Sequence, residues 1–193
     1  MATDLDIAEQ LLAAAKAAGA DQADAMVVEE TSLGIGVADG KLEEAERSEG
    51  RDAGLRVLIG GKQACVSGSD TSPDALRAMA DRAVALAQEA PDDPHAGLAD
   101  ASLIGGHVDP ASLDLADPSG ALGPETLEEM ALAAEAAAMA IEGVSQVEQA
   151  SASYGASHIT IAQSNGFSGA YPRTTTGVGV SAIAGEGLGR ERD

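Results

Sequence analysis

The chain has 193 residues, of which 45% are hydrophobic and 2% aromatic, so it is a folding sequence whose core must be built from Ala, Leu, Val, Ile and Met. Its 32 Asp and Glu against 11 Lys and Arg give a formal charge of -21, which repels phosphates and excludes direct nucleic-acid binding and anionic membrane surfaces as expected partners. Cys65 is the only cysteine, which rules out an internal disulfide or a CxxC motif, and no apolar run reaches the roughly 18 residues of a membrane span, so a cytoplasmic protein is expected.

Thr3 with Asp6 has capping-box spacing, and Leu5, Ala8, Leu12 and Ala15 recur at helical intervals until Gly19. Two strands are predicted next, Ala25 to Thr31 with Met26, Val27 and Val28, and Leu33 to Ala38, ending in Asp39-Gly40. That dipeptide signals a two-residue hairpin because both positions tolerate positive φ. A third strand runs from Lys41 to Arg47, and a fourth places Leu55, Val57 and Ile59 on one face. After Gly60-Gly61 a fifth spans Gln63 to Ser67 and holds Cys65, read as a core residue. Ser72-Pro73 is an N-cap with proline at the first helical position, and Leu76, Met79, Ala80, Ala83 and Ala87 form one stripe of a helix ending near Ala90.

Pro91 to Pro124 holds five prolines and the pair Gly105-Gly106, the composition of a long surface connection. Pro124 then opens a helix through Leu127, Met130, Ala131, Ala134, Ala138 and Ile141, stopped by Gly143. Strands follow at Val147 to Tyr154 and His158 to Gln163, then the turn Asn165-Gly166 and a long strand from Phe167 to Ala184. Gly185 to Arg192 shows no packed terminal element. Runs of antiparallel strands between helices define an α+β fold of strand meanders packed with about three helices. The organisation reads as an αβ unit at 1–90, a connection at 91–123, and helix plus strands of the same domain at 124–193. The first and last thirds echo one another as two related αβ units would, down to Arg47 and Arg173 at equal distances after the two Asx-Gly turns.

Zinc hydrolysis needs about three close protein ligands and an open position, and His95, His107 and His158 offer no such spacing, so no metal and no catalytic residue is assigned. The pairs Glu43-Glu44, Asp92-Asp93 and Glu128-Glu129 read as solvated faces, and Ser67, Ser69 and Asp70 as a strand exit and helix cap. Gly34-x-Gly36 and Gly177-x-Gly179 lack the context of a nucleotide loop and read as glycine in strands, at bends or close backbone approaches. The candidate site is the turn Asn165, Gly166, Phe167 with Tyr171 and Arg173, which gathers two of three aromatics. Exposed, it suits partner or peptide contact; buried, Phe167 and Tyr171 would plug the core beneath the hairpin.

Several stretches resemble the TldD/PmbA metallopeptidase family, once labelled modulators of DNA gyrase: Asp39-Gly-Lys-Leu-Glu-Glu-Ala-Glu-Arg-Ser, Gly54-Leu-Arg-Val-Leu-Ile-Gly-Gly-Lys and Ser69-Asp-Thr-Ser-Pro. Ala90-Pro-Asp-Asp-Pro-His-Ala-Gly-Leu-Ala-Asp and Ser164-Asn-Gly-Phe-Ser-Gly-Ala-Tyr-Pro-Arg-Thr point to its PmbA, or TldE, branch. The resemblance covers nearly the whole chain and implies the amino-terminal, non-catalytic part of such a subunit. It places zinc only in the family's carboxy-terminal domain or a partner subunit, on a HExxxH helix that this sequence does not contain. It further implies a TldD-like partner in a heterodimer, or a homodimer, and unfolded or small peptides as substrate, among them microcin-type precursors and an antitoxin. A stand-alone module that accepts an extended peptide on a sheet edge, such as Thr174 to Ser181, is the alternative.

Overall fold

A computed structural model describes residues 2–104, 109–185 and 187–192. The order of elements is α1 (Asp4–Ala18), β1 (Gln22–Ala38), β2 (Lys41–Ile59), β3 (Lys62–Gly68), α2 (Pro73–Glu89), α3 (Pro124–Met139), β4 (Val144–Gln163), β5 (Ser168–Ala184) and β6 (Glu191–Arg192). Between α2 and α3 lie two short 3₁₀ turns, Ala101–Leu103 and Pro110–Leu113. The strands are hydrogen-bonded in the order β3-β2-β1-β4-β5-β6, an α+β arrangement with an antiparallel sheet.

The capping box at Thr3 forms as the sequence predicts, with Asp6 N–H donating to Thr3 Oγ1 at 3.2 Å and Thr3 N–H to Asp6 Oδ2 at 2.8 Å. The buried stripe of α1, however, is Asp4, Ile7, Ala8, Leu11 and Ala15, while Leu5 is exposed and Leu12 only partly covered. Apolar residues at 5, 7, 8, 11, 12 and 15 fit two overlapping stripes, and packing selects the one centred on Leu11. Helix α2 buries the predicted Leu76, Met79, Ala80, Ala83 and Ala87, with Val84 added.

Each pair of shorter strands predicted on either side of the Asp39-Gly40 turn is one long strand. Thr31 and Ser32 continue β1, and the polar run Ser48 to Asp52 continues β2, because the backbone ladder propagates through residues whose side chains need no burial. Strand β4 likewise runs through Gly155, where a Cβ would stand 2.9 Å from Thr175 Oγ1 and glycine keeps the neighbouring strand close. At the first hairpin Asp39 (φ 51°) and Gly40 (φ 69°) both take positive φ, the two-residue turn that suits the strand twist.

Three further expectations change. Cys65 is exposed, because β3 turns Ala64 and Val66 towards the helices and leaves Cys65, the partner of Arg56 in the β2–β3 ladder, on the other side. Ile141 lies beyond α3 and is 61% exposed, since the core ends at Ala138 and a turn through Gly143 (φ 93°) follows. The polar tail forms β6, which pairs Arg192 with Ile183 and Glu191 with Ala184, while Arg192 Nε reaches Glu148 at 2.6 Å and Ser181 Oγ at 3.1 Å.

The long strands thread two compact units. The first comprises residues 1–29, 50–114 and 157–172, and its core joins Ile7, Leu11, Val27, Leu55, Val57, Leu76 and Ala83 under α1 and α2. Alanines at 8, 15, 80 and 87 let α1 pack on α2 and α2 on β3 at short range. The second comprises residues 30–49, 115–156 and 173–193, where α3 covers Ile35, Val37, Val147, Ala150, Ala152 and Tyr154. Its Glu135 is only 8% exposed, and both carboxylate oxygens accept from Gly40 N–H, at 3.1 and 3.3 Å.

Candidate functional site

The β4–β5 turn is built from its glycine outwards. Gly166 takes φ 96°, its N–H donates to Gln163 O at 3.0 Å, and Gln163 N–H donates to Phe167 O at 2.8 Å. This is a three-residue loop with glycine in the left-handed position, rather than a copy of the tighter Asp39-Gly40 turn. Asn165 fixes it from both ends. Its Oδ1 accepts from Phe167 N–H at 3.2 Å, and its Nδ2 donates to Ala99 O at 3.0 Å, tying the turn to the long connection. Ser164 Oγ accepts from Ala23 N–H at 3.0 Å and Ser164 N–H donates to Ala23 O at 2.9 Å, anchoring the turn to β1.

Of the five predicted contact residues, the structure brings Asn165, Gly166 and Phe167 together. Phe167 is half-buried outside the core cluster, with its ring against Gly169, where a Cβ would sit 3.4 Å from Phe167 Cζ. Tyr171 is half-buried further along β5, and Arg173 is exposed and belongs to the second unit. The third aromatic, Tyr154, is the buried one.

Beside the start of β5 the first unit opens a cleft of about 590 Å³, bordered by Ser168, Gly169 and Ala170. Its charged wall was not legible as a site in the sequence. Asp4 at the start of α1 is 9% exposed and ion-pairs with Arg51 Nε at 3.2 Å, while Arg51 also donates to Glu29 and His158 Nδ1 lies 3.6 Å from Asp4 Oδ2. One signal was available: Arg51 continues the inward-facing series Ala53, Leu55, Val57, and a charge on such a face implies a partner. A second cleft of about 440 Å³ touches the hairpin tip at Ser164 and Asn165 and is lined also by Leu12, Lys16 and Gln22.

The remaining chemical candidates resolve as local structure. Asp70 Oδ1 accepts from Ser72 N–H at 2.9 Å, which holds its carboxyl below the usual range, and Ser72 caps α2. Gly36 marks a close approach, since a Cβ there would meet Gln149 Nε2 at 2.8 Å. His95 is exposed, its N–H donating to Asp93 Oδ1 at 2.9 Å, and His107 lies outside the described residues. Among the described residues no three His, Cys, Asp or Glu side chains are grouped as a metal ion requires, so the residues here do not fit a zinc site.

Fold and site together define an α+β protein of three helices and an antiparallel sheet, with polar clefts in its first unit and no metal-binding group among its described residues. Residues 23–87 match the family model for PmbA/TldA metallopeptidase domain 1, and residues 117–193 match the PmbA/TldA metallopeptidase central domain. Metalloprotease PmbA of Escherichia coli O157:H7 is 29% identical over 184 residues, covering 94% of this chain and 39% of that protein. Two crystal structures share the fold. A Bacteroides thetaiotaomicron VPI-5482 protein described as a candidate modulator of DNA gyrase aligns with TM-score 0.80 at 22% identity, over 100% of this chain and 44% of that one. TldE of Thermococcus kodakarensis aligns with TM-score 0.71 at 12% identity, over 95% and 40%. The chain belongs to the PmbA/TldD metallopeptidase family, of which it contains the first and central domains.

Proposed function

We propose that this chain is the non-catalytic scaffold of a PmbA- or TldE-like subunit in a cytoplasmic zinc metallopeptidase complex. It forms chamber wall and subunit contacts for the breakdown of unfolded or small peptides, of which microcin-type precursors and antitoxins are the expected kinds. A TldD-like subunit, or sequence beyond these two domains, brings the zinc and its HExxxH helix. The carrying observation is the pair of family-domain matches in family order, in a chain that spans 39% of the length of the curated relative. Contacts to a partner or peptide are assigned to the hairpin residues Asn165, Gly166, Phe167, Tyr171 and Arg173.

The test is reconstitution. Residues 1–193 alone should neither cleave nor retain an unstructured peptide, and should bind a TldD-like subunit in a pull-down with purified components. Chelator-sensitive hydrolysis by the isolated chain would overturn the scaffold reading. Peptide binding by the isolated chain would favour a stand-alone module.

A further inference from the structure

The cleft beside the start of β5 holds a buried charge that its neighbours only partly answer. The Asp4 side chain is 9% exposed, and a carboxylate so far from water ordinarily accepts several hydrogen bonds. Its Oδ1 accepts none: Arg51 Nε stands 3.2 Å away in an ion pair without a hydrogen bond, and neither atom has another partner. Its Oδ2 faces His158 Nδ1 across 3.6 Å, beyond hydrogen-bond reach, and both residues border the cleft.

The charges select a cation. Asp4 and Glu29 set two carboxylates against the one guanidinium of Arg51, which leaves the wall negative when histidine is counted neutral, in a chain of charge -21. The positive end of α1 and the Arg51 side chain would both attract an anion, but the first holds Asp4, Asp6 and a closed capping box, and the second is taken up by Asp4 and Glu29. Geometry then narrows the cation. A guanidinium binds both oxygens of a carboxylate side by side, and Asp4 Oδ1 is sealed from solvent. A quaternary ammonium needs aromatic faces, and no Phe or Tyr borders the cleft among the described residues. A divalent ion needs three grouped ligands, which the described residues do not supply. A primary ammonium is a compact charge with three donors, and one nitrogen about 3 Å from both Asp4 Oδ2 and His158 Nδ1 bridges the gap between them. Thr160, two residues along β4 on the same face and 3% exposed, offers a hydroxyl as third acceptor. The volume of about 590 Å³ leaves room for a short chain beside Leu5, which is 39% exposed.

We propose that this cleft binds a primary ammonium group on a short aliphatic chain, with Asp4 as counter-charge and His158 and Thr160 as hydrogen-bond acceptors. The site rests on the first unit alone and stands whether or not the subunit serves a peptidase. One ammonium held this way binds at about millimolar strength, too weakly to retain a peptide in the reconstitution.

The probe is n-butylammonium, titrated into the full chain at about pH 8 and about 0.15 M NaCl, which screens the acidic surface, and followed by two-dimensional amide NMR. The amides of Asp4, Arg51, His158 and Thr160 should shift saturably with a Kd of about 1–10 mM, while butyrate, guanidinium and tetramethylammonium bind at least about tenfold more weakly. Asp4→Asn and His158→Ala should each weaken butylammonium about tenfold. The His158 side chain is 49% exposed and outside the core, so His158→Ala tests the site even where Asp4→Asn does not fold, and far-UV circular dichroism checks both. Alanyl-alanine amide and N-acetyl-lysine amide in the same titration identify the carrier. Tighter binding of either places the ammonium on a peptide terminus or a lysine side chain, tighter binding of neither leaves a free amine, and each of these upholds the site. No saturable shift up to about 50 mM overturns the proposal. So do shifts spread evenly over the acidic surface, butyrate or guanidinium binding as well as butylammonium, or indifference to His158→Ala or to a folded Asp4→Asn.

Discussion

Replacing Glu135 examines how α3 holds the first hairpin. Its carboxylate is 8% exposed and accepts from Gly40 N–H with both oxygens, at 3.1 and 3.3 Å. A hydrogen bond to a charged acceptor contributes about 1.5–3 kcal/mol net. Gly40 is exposed, so water takes over its N–H when the carboxylate is removed, which sets the loss near the lower limit. Truncation also leaves a void beside Leu132 and Val147, so Glu135→Ala should destabilise by about 2 kcal/mol in urea unfolding. Glu135→Gln keeps an acceptor oxygen without the charge and should cost about 1 kcal/mol. Hydrogen exchange at the Gly40 amide supplies the local readout: it should be slow in the wild type, nearly as slow in Glu135→Gln, and fast in Glu135→Ala. If Glu135→Ala lies within about 0.5 kcal/mol of the wild type, or leaves Gly40 exchange unchanged, the clasp contributes nothing and the reasoning fails.

Leu127→Ala and Leu55→Ala, each removing a fully buried side chain, should destabilise by about 2–5 kcal/mol, seen as lower urea midpoints. Phe167→Ala should cost clearly less than the roughly 3 kcal/mol of a core phenylalanine, because the ring is only half-buried; a larger loss would make it a core plug, and unchanged affinity for a TldD-like subunit would remove it from the contact surface. Asp6, Asp70, Asp100 and Asp117 accept local hydrogen bonds, from Thr3 or Ser72 backbone N–H first in the former two and from the Ser102 or Ser119 hydroxyl first in the latter two, and all are held below the usual 3.8. Folded pKa values below the unfolded ones mean a contribution present above about pH 4 and lost as pH falls through the depressed values, so thermal midpoints should drop on acidification, and less so in Asp70→Asn. Gly185→Ala places a Cβ 2.6 Å from Gly189 O at φ 86° and should lower the thermal midpoint more than Gly19→Ala, where nothing lies within 4 Å.

Elements were legible where chain-local chemistry decides them. Thr3, Ser72 and Pro124 mark helix starts through capping and proline geometry, and Asp39-Gly40 marks a turn through positive φ, all set within a few residues. Strand continuity was not legible. Whether Ser48–Asp52 or Gly155–Ser157 interrupts a strand depends on the neighbouring strand, and apolar periodicity reports burial rather than pairing. Cys65 shows the same limit, since facing inwards or outwards is a matter of register with Arg56.

The site divides along the same line. Asn165 and Gly166 were readable because an Asx side chain and a left-handed glycine build the turn from inside it. The Asp4–Arg51–Glu29–His158 wall draws on α1, β2, β1 and β4, four elements far apart in sequence, and no spacing rule joins them. What the sequence did hold was a misfit: an acid on the buried stripe of α1 and an arginine in line with Ala53, Leu55 and Val57. Two opposite charges at inward-facing positions of different elements are best accounted for by each other, because burying either alone costs far more than burying the pair. Arg51→Ala should therefore destabilise the first unit more than Asp4→Asn with Arg51→Met together, and a double mutant worse than Arg51→Ala alone would show that the two charges are not coupled.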